Sequence, residues 1–257
     1  MPKRRFSLFL LSLSLLSALA GCAATNPARL PLAPPMHTAA EFRDQRIAYV
    51  PDPGEGFNLR MYKFNYYFDR YLYLPVVRGY EFVTPVFVQT RVSDFFNNLK
   101  EVRTLTNAML QLKPKESAVT LARFVTNSTI GIGGLFDPAT RFGMERRNED
   151  FGLTLGRWGV KSGPYLVLPV LGPSNVRDAG GRATDAGVFY LIYTAIDPLK
   201  NAEQQTAIEA GVGTLEAIDM RHQQSFRYYR SAYPFEYYLV HFLYHERREL
   251  EIKKKSP

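Results

Sequence analysis

The 257 residues contain one cysteine, Cys22, so no disulfide can close within the chain and packing must hold the fold. Histidine is nearly as scarce: His37, His222, His241 and His245. No HExxH is present. His241 and His245 stand at i,i+4 on an expected helix, a spacing that suits a metal, but no third ligand is implied nearby. The pair reads as interfacial, and no metal is expected. The absence of a GxSxG elbow removes the main support for a serine hydrolase. Gly131-Ile132-Gly133-Gly134 is not GxGxxG and follows no convincing strand, so nucleotide binding has little support and no cofactor is expected. Glu149 and Asp150 are adjacent carboxylates, but they close the charged run from Glu145 to Asp150, which reads as a solvated loop. With the tools of a catalyst missing, an enzyme is not expected. Long apolar runs are missing too. Beyond residue 22 the longest are Val188–Ile196 and Tyr237–Tyr244, well short of the about 20 residues that a spanning helix needs. Entry into a bilayer would then require amphipathic helices packed on one another. No internal repeat is visible.

What is present begins at the N-terminus. Lys3, Arg4 and Arg5 precede an apolar run from Phe6 to Ala20, and Leu19-Ala20-Gly21-Cys22 closes it. A charged start, an apolar middle and small residues before a cleavage point make a secretory signal. The sole thiol falls where lipidation needs it. Residues 1–21 therefore resemble a bacterial lipoprotein signal, with Cys22 acylated and its amine the new N-terminus. Without those three cations the formal net charge falls from +8 to +5. That mild, evenly spread charge suits an anionic lipid surface better than nucleic acid. The chain is rich in aromatics, with 18 Phe, 16 Tyr and 1 Trp. Tyrosine in such number suits a membrane–water interface, or an aromatic-rich core.

Residues 22–51 are small, polar and dotted with proline, and read as a flexible tether. A helix is expected over 58–74, ended by Pro75. Its Met61, Phe64, Phe68, Tyr71 and Leu72 share one apolar face, and Leu59, Tyr62, Tyr66 and Tyr73 a second. Asn58, Asn65 and Asp69 form a thin polar stripe between them. Two apolar faces imply burial on two sides, in a large core or between protein and lipid. If the stripe faces a headgroup path, Asn65→Leu should leave folding nearly intact. Further helices are expected at about 85–99, 101–112 and 115–128. Residues 129–182 are dense in glycine and proline and call for tight turns and close backbone approach. Gly133, Gly134 and Gly159 are expected at turns that a β-branched residue cannot follow. Tyr165–Leu171 is either a strand or an extended membrane-facing loop. Helices resume at about 184–196, 200–218 and 234–250, before the basic tail Lys253-Lys254-Lys255.

Several segments, in order, resemble the MlaA (VacJ) family of outer-membrane lipoproteins. Asp52-Pro53, Glu55, Asn58, Phe64-Asn65, Asp69, Pro75, Tyr80 and Pro85 open the likeness. Asn97-Asn98-Leu99 and Asn107 follow. The strongest part is Arg123 to Asp137, with Asn127, Gly131, Gly133, Gly134 and Phe136. It continues through Asp150-Phe151-Gly152, Gly156, Gly159, Gly163-Pro164-Tyr165, Gly172-Pro173-Ser174, Arg177-Asp178 and Asp185. The likeness covers roughly residues 50–230. Asn58-Leu59-Arg60 departs from the family's Asn-Arg, and residues 233–257 match poorly, which leaves their partner contacts open.

The resemblance implies a mainly α fold: a ring-like bundle of amphipathic helices lying in the membrane, with a Gly/Pro-rich loop segment and little β structure. It implies a helical lipid-channel domain over residues 52–232, then a C-terminal helix and basic tail over 233–257. It implies a protein lipid-anchored to the outer membrane from the periplasmic side, beside a trimeric porin. Its work would be passive: removing misplaced phospholipids from the outer leaflet through a central channel to a soluble periplasmic carrier. Asn58, Asn65, Asp69, Asn127, Gly131, Gly133, Gly134, Asp137, Phe151, Gly152, Gly159, Gly163, Pro164 and Tyr165 are the candidates to line or shape that path. A scaffolding envelope lipoprotein and a periplasmic lipid hydrolase are the competing readings.

Overall fold

Asp52-Pro53-Gly54 turns the chain into its first described helix. The Asp52 carboxylate accepts from the Gly54 N–H at 3.0 Å and its carbonyl from the Glu55 N–H at 3.2 Å. The computed structural model describes residues 51–196, 202–230, 233 and 235–254. The signal, Cys22 and the tether up to residue 50 lie outside the described residues.

Helix α1 is Glu55–Phe68, and it does not end at Pro75. A π-helical turn, Asp69–Tyr73, follows it and leads straight into α2, Leu74–Val83. The expected stop is overturned for a structural reason. The Leu74 N–H reaches back to the Asp69 carbonyl, which widens the turn just before the proline. Pro75 then sits in the first turn of a new α-helical segment, where its missing N–H costs little. The second break expected near residue 100 is also absent. Helix α3 runs unbroken over Val86–Leu110, because Lys100-Glu101 contains no helix breaker. It ends at Leu110, and Leu112, with a φ of +54°, turns the chain ahead of Pro114. Helix α4 is Pro114–Thr129 and packs along α3. The glycine-rich segment holds only short helices, α5 (Pro138–Arg141) and α6 (Phe151–Arg157). Tyr165–Leu171 resolves as strand β1 (Tyr165–Leu168) and a turn. Strand β2 (Gly172–Asn175) then pairs antiparallel with β1, Tyr165 opposite Asn175 and Leu168 opposite Gly172.

Helix α7, Val176–Ile196, starts well before residue 184 and carries Gly180-Gly181 inside it. Gly181 is there for contact. A Cβ on it would strike the backbone of Gly152, so the two glycines let α6 and α7 cross closely. Helix α8 is Gln205–His222 and α9 is Glu236–Lys253. The described fold is therefore mainly helical with one small hairpin.

The apolar core is largely tyrosine. Tyr62, at 0% exposure, meets Tyr228, Tyr229 and Tyr237 edge-on at ring distances of 5.0, 5.7 and 5.6 Å. Its hydroxyl donates to Glu236 at 2.7 Å, and Tyr237 donates to Asp52, so α9 is keyed into α1. Of the two apolar faces expected over 58–74, Leu59, Tyr62 and Tyr66 supply this core. Phe64, Tyr71 and Leu72 stay exposed.

The rest of the molecule reverses the usual partition. Among the described residues, buried polar and charged side chains outnumber buried apolar ones. Many large apolar side chains stay exposed. Where α2 gives way to α3, Phe82 is 91% exposed and Val83 and Val86 are each 74% exposed. Ile130, Ile132 and Leu135 add to this surface. So many exposed large apolar side chains mark a lipid or protein contact. No described helix is long and apolar enough to cross a membrane.

Candidate functional site

A cavity of about 570 Å³ lies between α1, α3, α7, α8 and the tip of the β-hairpin, within the usual size range of ligand sites. The polar stripe of α1 sets its first wall. Asn65 donates to the Leu168 carbonyl at 2.9 Å and accepts from the Val170 N–H at 2.7 Å. Asn58 does the same one step back, donating to Tyr165 O at 3.0 Å and accepting from Val167 N–H at 2.8 Å. Each amide thus serves β1 as a neighbouring strand would, with one donor and one acceptor. This clip holds Val170, Leu171, Gly172 and Pro173 against the cavity. Val170 has a φ of +65° and Gly172 of +76°, the tight reversal that the clip fixes.

Asp69 and Arg221 form a second support. The guanidinium donates to both carboxylate oxygens, at 2.5 and 2.8 Å, and to the carbonyls of Gln224 and Phe226. That ties the π-helical turn to the end of α8. Phe68, Tyr73, Leu99, Phe189, Met220 and Phe226 give the cavity apolar lining. Lys100 and Arg103 on α3, Arg182 and Asp185 on α7, and Glu216 on α8 give it charge. Burial pushes the Lys100 ammonium below the ordinary lysine range, opposed by Asp219 and Glu216. Burial also raises the Asp185 carboxyl above its usual value, although the Phe151 N–H and the Asn107 amide both donate to it. The result is a chamber with an apolar part and a charged part, suited to an amphiphile.

Of the residues expected to line or shape a path, Asn65 and Asp69 border this cavity. Asn58, 0% exposed, stands behind it and holds the hairpin. Pro164 and Tyr165 lead into β1: the Pro164 carbonyl accepts from Val176 N–H at 3.1 Å, and Tyr165 stacks on His241 at 3.9 Å. Phe151 and Gly152 open α6 beside Asp185 and Asp178. Gly159 and Gly163 occupy turns with φ of +89° and +66°.

Asn127, Gly131, Gly133, Gly134 and Asp137 fall elsewhere, around the end of α4. There Arg123, 2% exposed, donates to Glu101 at 2.8 Å and Asp137 at 3.1 Å, and Asn127 donates to Asp137 at 3.0 Å. Burial opposes ionisation of Asp137, but donation from Thr140, Arg123 and Asn127 prevails and holds its carboxyl at about 2. A Cβ on Gly134 would come within 2.7 Å of Asn98 Cβ, so this tight turn braces α3 against α4. The charged run 145–150 is only partly the solvated loop expected. Glu149 is buried and accepts from Lys113 at 2.5 Å, while Asp150 caps α6 and is gripped by Arg248. Both carboxylates are held because cations from other elements converge on them. The cavity cations Lys100 and Arg103 escaped the sequence reading. Their signal was the polar spacing Lys100, Arg103, Asn107 along α3.

Exposed apolar side chains therefore surround a chamber that is partly charged and partly apolar. A family model described as MlaA lipoprotein matches residues 50–251, and the chain belongs to that family. The match reaches through most of α9. The intermembrane phospholipid transport system lipoprotein MlaA of Escherichia coli (strain K12) is 34% identical over 176 residues, covering 67% of this chain and 66% of that protein. An uncharacterised protein of Rickettsia prowazekii is 40% identical over 129 residues, covering 50% of this chain and 51% of its own. The chain thus spans about half the length of the Rickettsia relatives it matches. A solved chain, from work on the structural basis for maintenance of bacterial outer membrane lipid asymmetry, aligns with TM-score 0.60 and 29% identity. The alignment covers 79% of this chain and 100% of that one.

Proposed function

We propose that this protein removes misplaced phospholipids from the outer leaflet of the outer membrane and passes them inward, so maintaining lipid asymmetry. In this reading Cys22 is acylated and anchors the chain from the periplasmic side. The helices lie in the membrane as a ring whose centre is the cavity. A trimeric porin stands beside it, and a soluble periplasmic carrier receives the lipid. The observation that carries the reading is the reversed partition: apolar residues outside, and a chamber inside that is apolar on one part and charged on another. Exposing a two-chain phospholipid to water costs on the order of 20 kcal/mol, at about 0.8 kcal/mol per methylene. A protein without nucleotide chemistry meets that cost by sheltering the chains while the headgroup follows a polar lane.

The test is a deletion strain complemented by wild type or by Cys22→Ala. Intact phospholipid should accumulate in the outer leaflet on deletion, and wild type should clear it. Cys22→Ala should lose acyl labelling and clear poorly. Accumulating lysophospholipid would point to a hydrolase, and an unchanged leaflet to a scaffold.

A further inference from the structure

Charged groups around the cavity divide into partnered and unpartnered. Asp69 is matched by Arg221 and Asp150 by Arg248. Lys100 and Arg103 are answered only from a distance, by Asp219 and Glu216 and by Asp185: neither side chain has a hydrogen bond or ion pair with another described residue. They stand at i and i+3 on α3, on one face and toward the cavity. The Nε of Arg103 is buried without a hydrogen-bond partner. Other arginines have one such buried nitrogen, namely Arg91, Arg157 and Arg177, but each also pairs with a carboxylate through its guanidinium. Arg103 does not. A buried donor without an acceptor is costly unless something else completes it. Across the cavity, Arg182 has only a 3.5 Å approach to the Pro173 carbonyl. The nearby acids answer this charge incompletely. Asp185 already accepts two hydrogen bonds and Asp219 accepts from Ser93 and Gln223, which leaves Glu216.

We infer that Lys100 and Arg103 form a phosphate-binding station in the cavity wall, completed from α7 by Arg182. A phosphodiester offers the two acceptor oxygens and the negative charge that these donors lack, and a guanidinium binds it in a forked geometry. The inference rests on the proposed lipid function for its occupant, the headgroup phosphate of a phospholipid whose chains lie on Phe68, Leu99 and Phe189. Free inorganic phosphate shares the chemistry but not the chains.

The experiment titrates the purified full chain in detergent with three probes: dihexanoyl phosphatidylglycerol, dihexanoylglycerol without phosphate, and sodium phosphate. Lys100→Gln/Arg103→Gln should weaken the phospholipid on the order of tenfold or more and leave dihexanoylglycerol within about twofold. The charge-keeping exchange Lys100→Arg/Arg103→Lys should retain binding, which separates lost charge from lost fold. If wild type and the neutral double variant bind phosphatidylglycerol equally, or if dihexanoylglycerol is weakened as much, the station is overturned and the transport reading stands. Phosphate bound by wild type as tightly as the lipid, and lost in the double variant, would keep the anion site and overturn the lipid as its occupant. Wild type that binds neither lipid nor phosphate would overturn both.

Discussion

Arg248 and Arg103 are both partly buried arginines, and they live in opposite surroundings. Arg248 reaches from α9 to Asp150 at 2.8 and 2.9 Å and to Asp178 at 2.8 Å. Asp178 in turn accepts from Asn175, Arg177 and Tyr244. Close packing of Gly152 on Gly181 brings α6 and α7 together at the same place. There every charge is answered within the protein. Arg103 faces the cavity with no hydrogen-bond or close ion-pair partner of its own. The first arrangement holds the fold. The second is left open for something that arrives.

The sharpest way to break this comparison is to remove Arg248. Arg248→Met strands Asp150 and leaves Asp178 with Arg177 as its one cation, and breaking a buried ion pair from one side costs about 3–5 kcal/mol. Denaturant unfolding should show that loss, and cellular abundance should fall. If stability holds, the Asp150–Asp178 cluster is not the clamp described. Next in size is Gly152→Val, whose Cβ would stand 2.5 Å from Asp178 Oδ1 and 3.0 Å from its Cα. Overpacking of that kind costs about 1–3 kcal/mol or more. Gly133 has open space, so Gly133→Ala should suffer only from its φ of +66°, by about 1 kcal/mol. Equal thermal melting points for the two variants would remove the distinction between close approach and turn.

Asn65→Leu is of middle size and departs from what the helical stripe alone implied. Its amide is bonded to Leu168 and Val170, so both backbone groups lose their partner. A cost of about 2 kcal/mol is expected, read as a lower melting temperature. Near-wild-type stability would return Asn65 to a purely path-facing role.

The same clamp makes a pH prediction. Burial opposes ionisation of Asp178, but donation from Arg248, Tyr244 and Arg177 prevails, and its carboxyl is lowered from 3.8 to about 2. The contribution is therefore present above pH about 4 and lost as pH falls toward 2, about 2 kcal/mol in all. Urea midpoints at pH 5 and pH 2 measure it. The difference should shrink in Asp178→Asn, and an undiminished difference would place the acid sensitivity in other carboxylates.

These contrasts show what the sequence could and could not reveal. The stripe Asn58, Asn65, Asp69 was legible because helical spacing is local. Its partners were not, since Asn58 answers a carbonyl 107 residues away. Pro75 looked like a stop because the π-helical turn that accommodates it leaves no mark in an apolar pattern. Positive φ was foreseeable at Gly133, Gly134 and Gly159, and all three adopt it. Which glycines are pressed by neighbours was not, because Gly152 meets Gly181 only after two helices cross. The cavity is the least legible part. Five elements make it, and its charge is defined by which cations remain unmatched once every other pair has formed.

The smallest expected effect is the most telling. Lys100→Gln/Arg103→Gln removes two cations that make no close ion pair, so no hydrogen bond is lost and Asp219, Glu216 and Asp185 lose only a distant attraction. Neutral groups at partly buried positions also avoid the desolvation and mutual repulsion of the cations. Stability should therefore change by less than about 1 kcal/mol, and the sign should lean toward stabilisation, as it does where a binding site is held ready at the expense of the empty fold. Unfolding of the variant beside Arg248→Met, in the same detergent, gives the comparison directly. A loss approaching that of Arg248→Met would mean that the cavity cations support the structure, and the contrast between the closed clamp and the open wall would collapse.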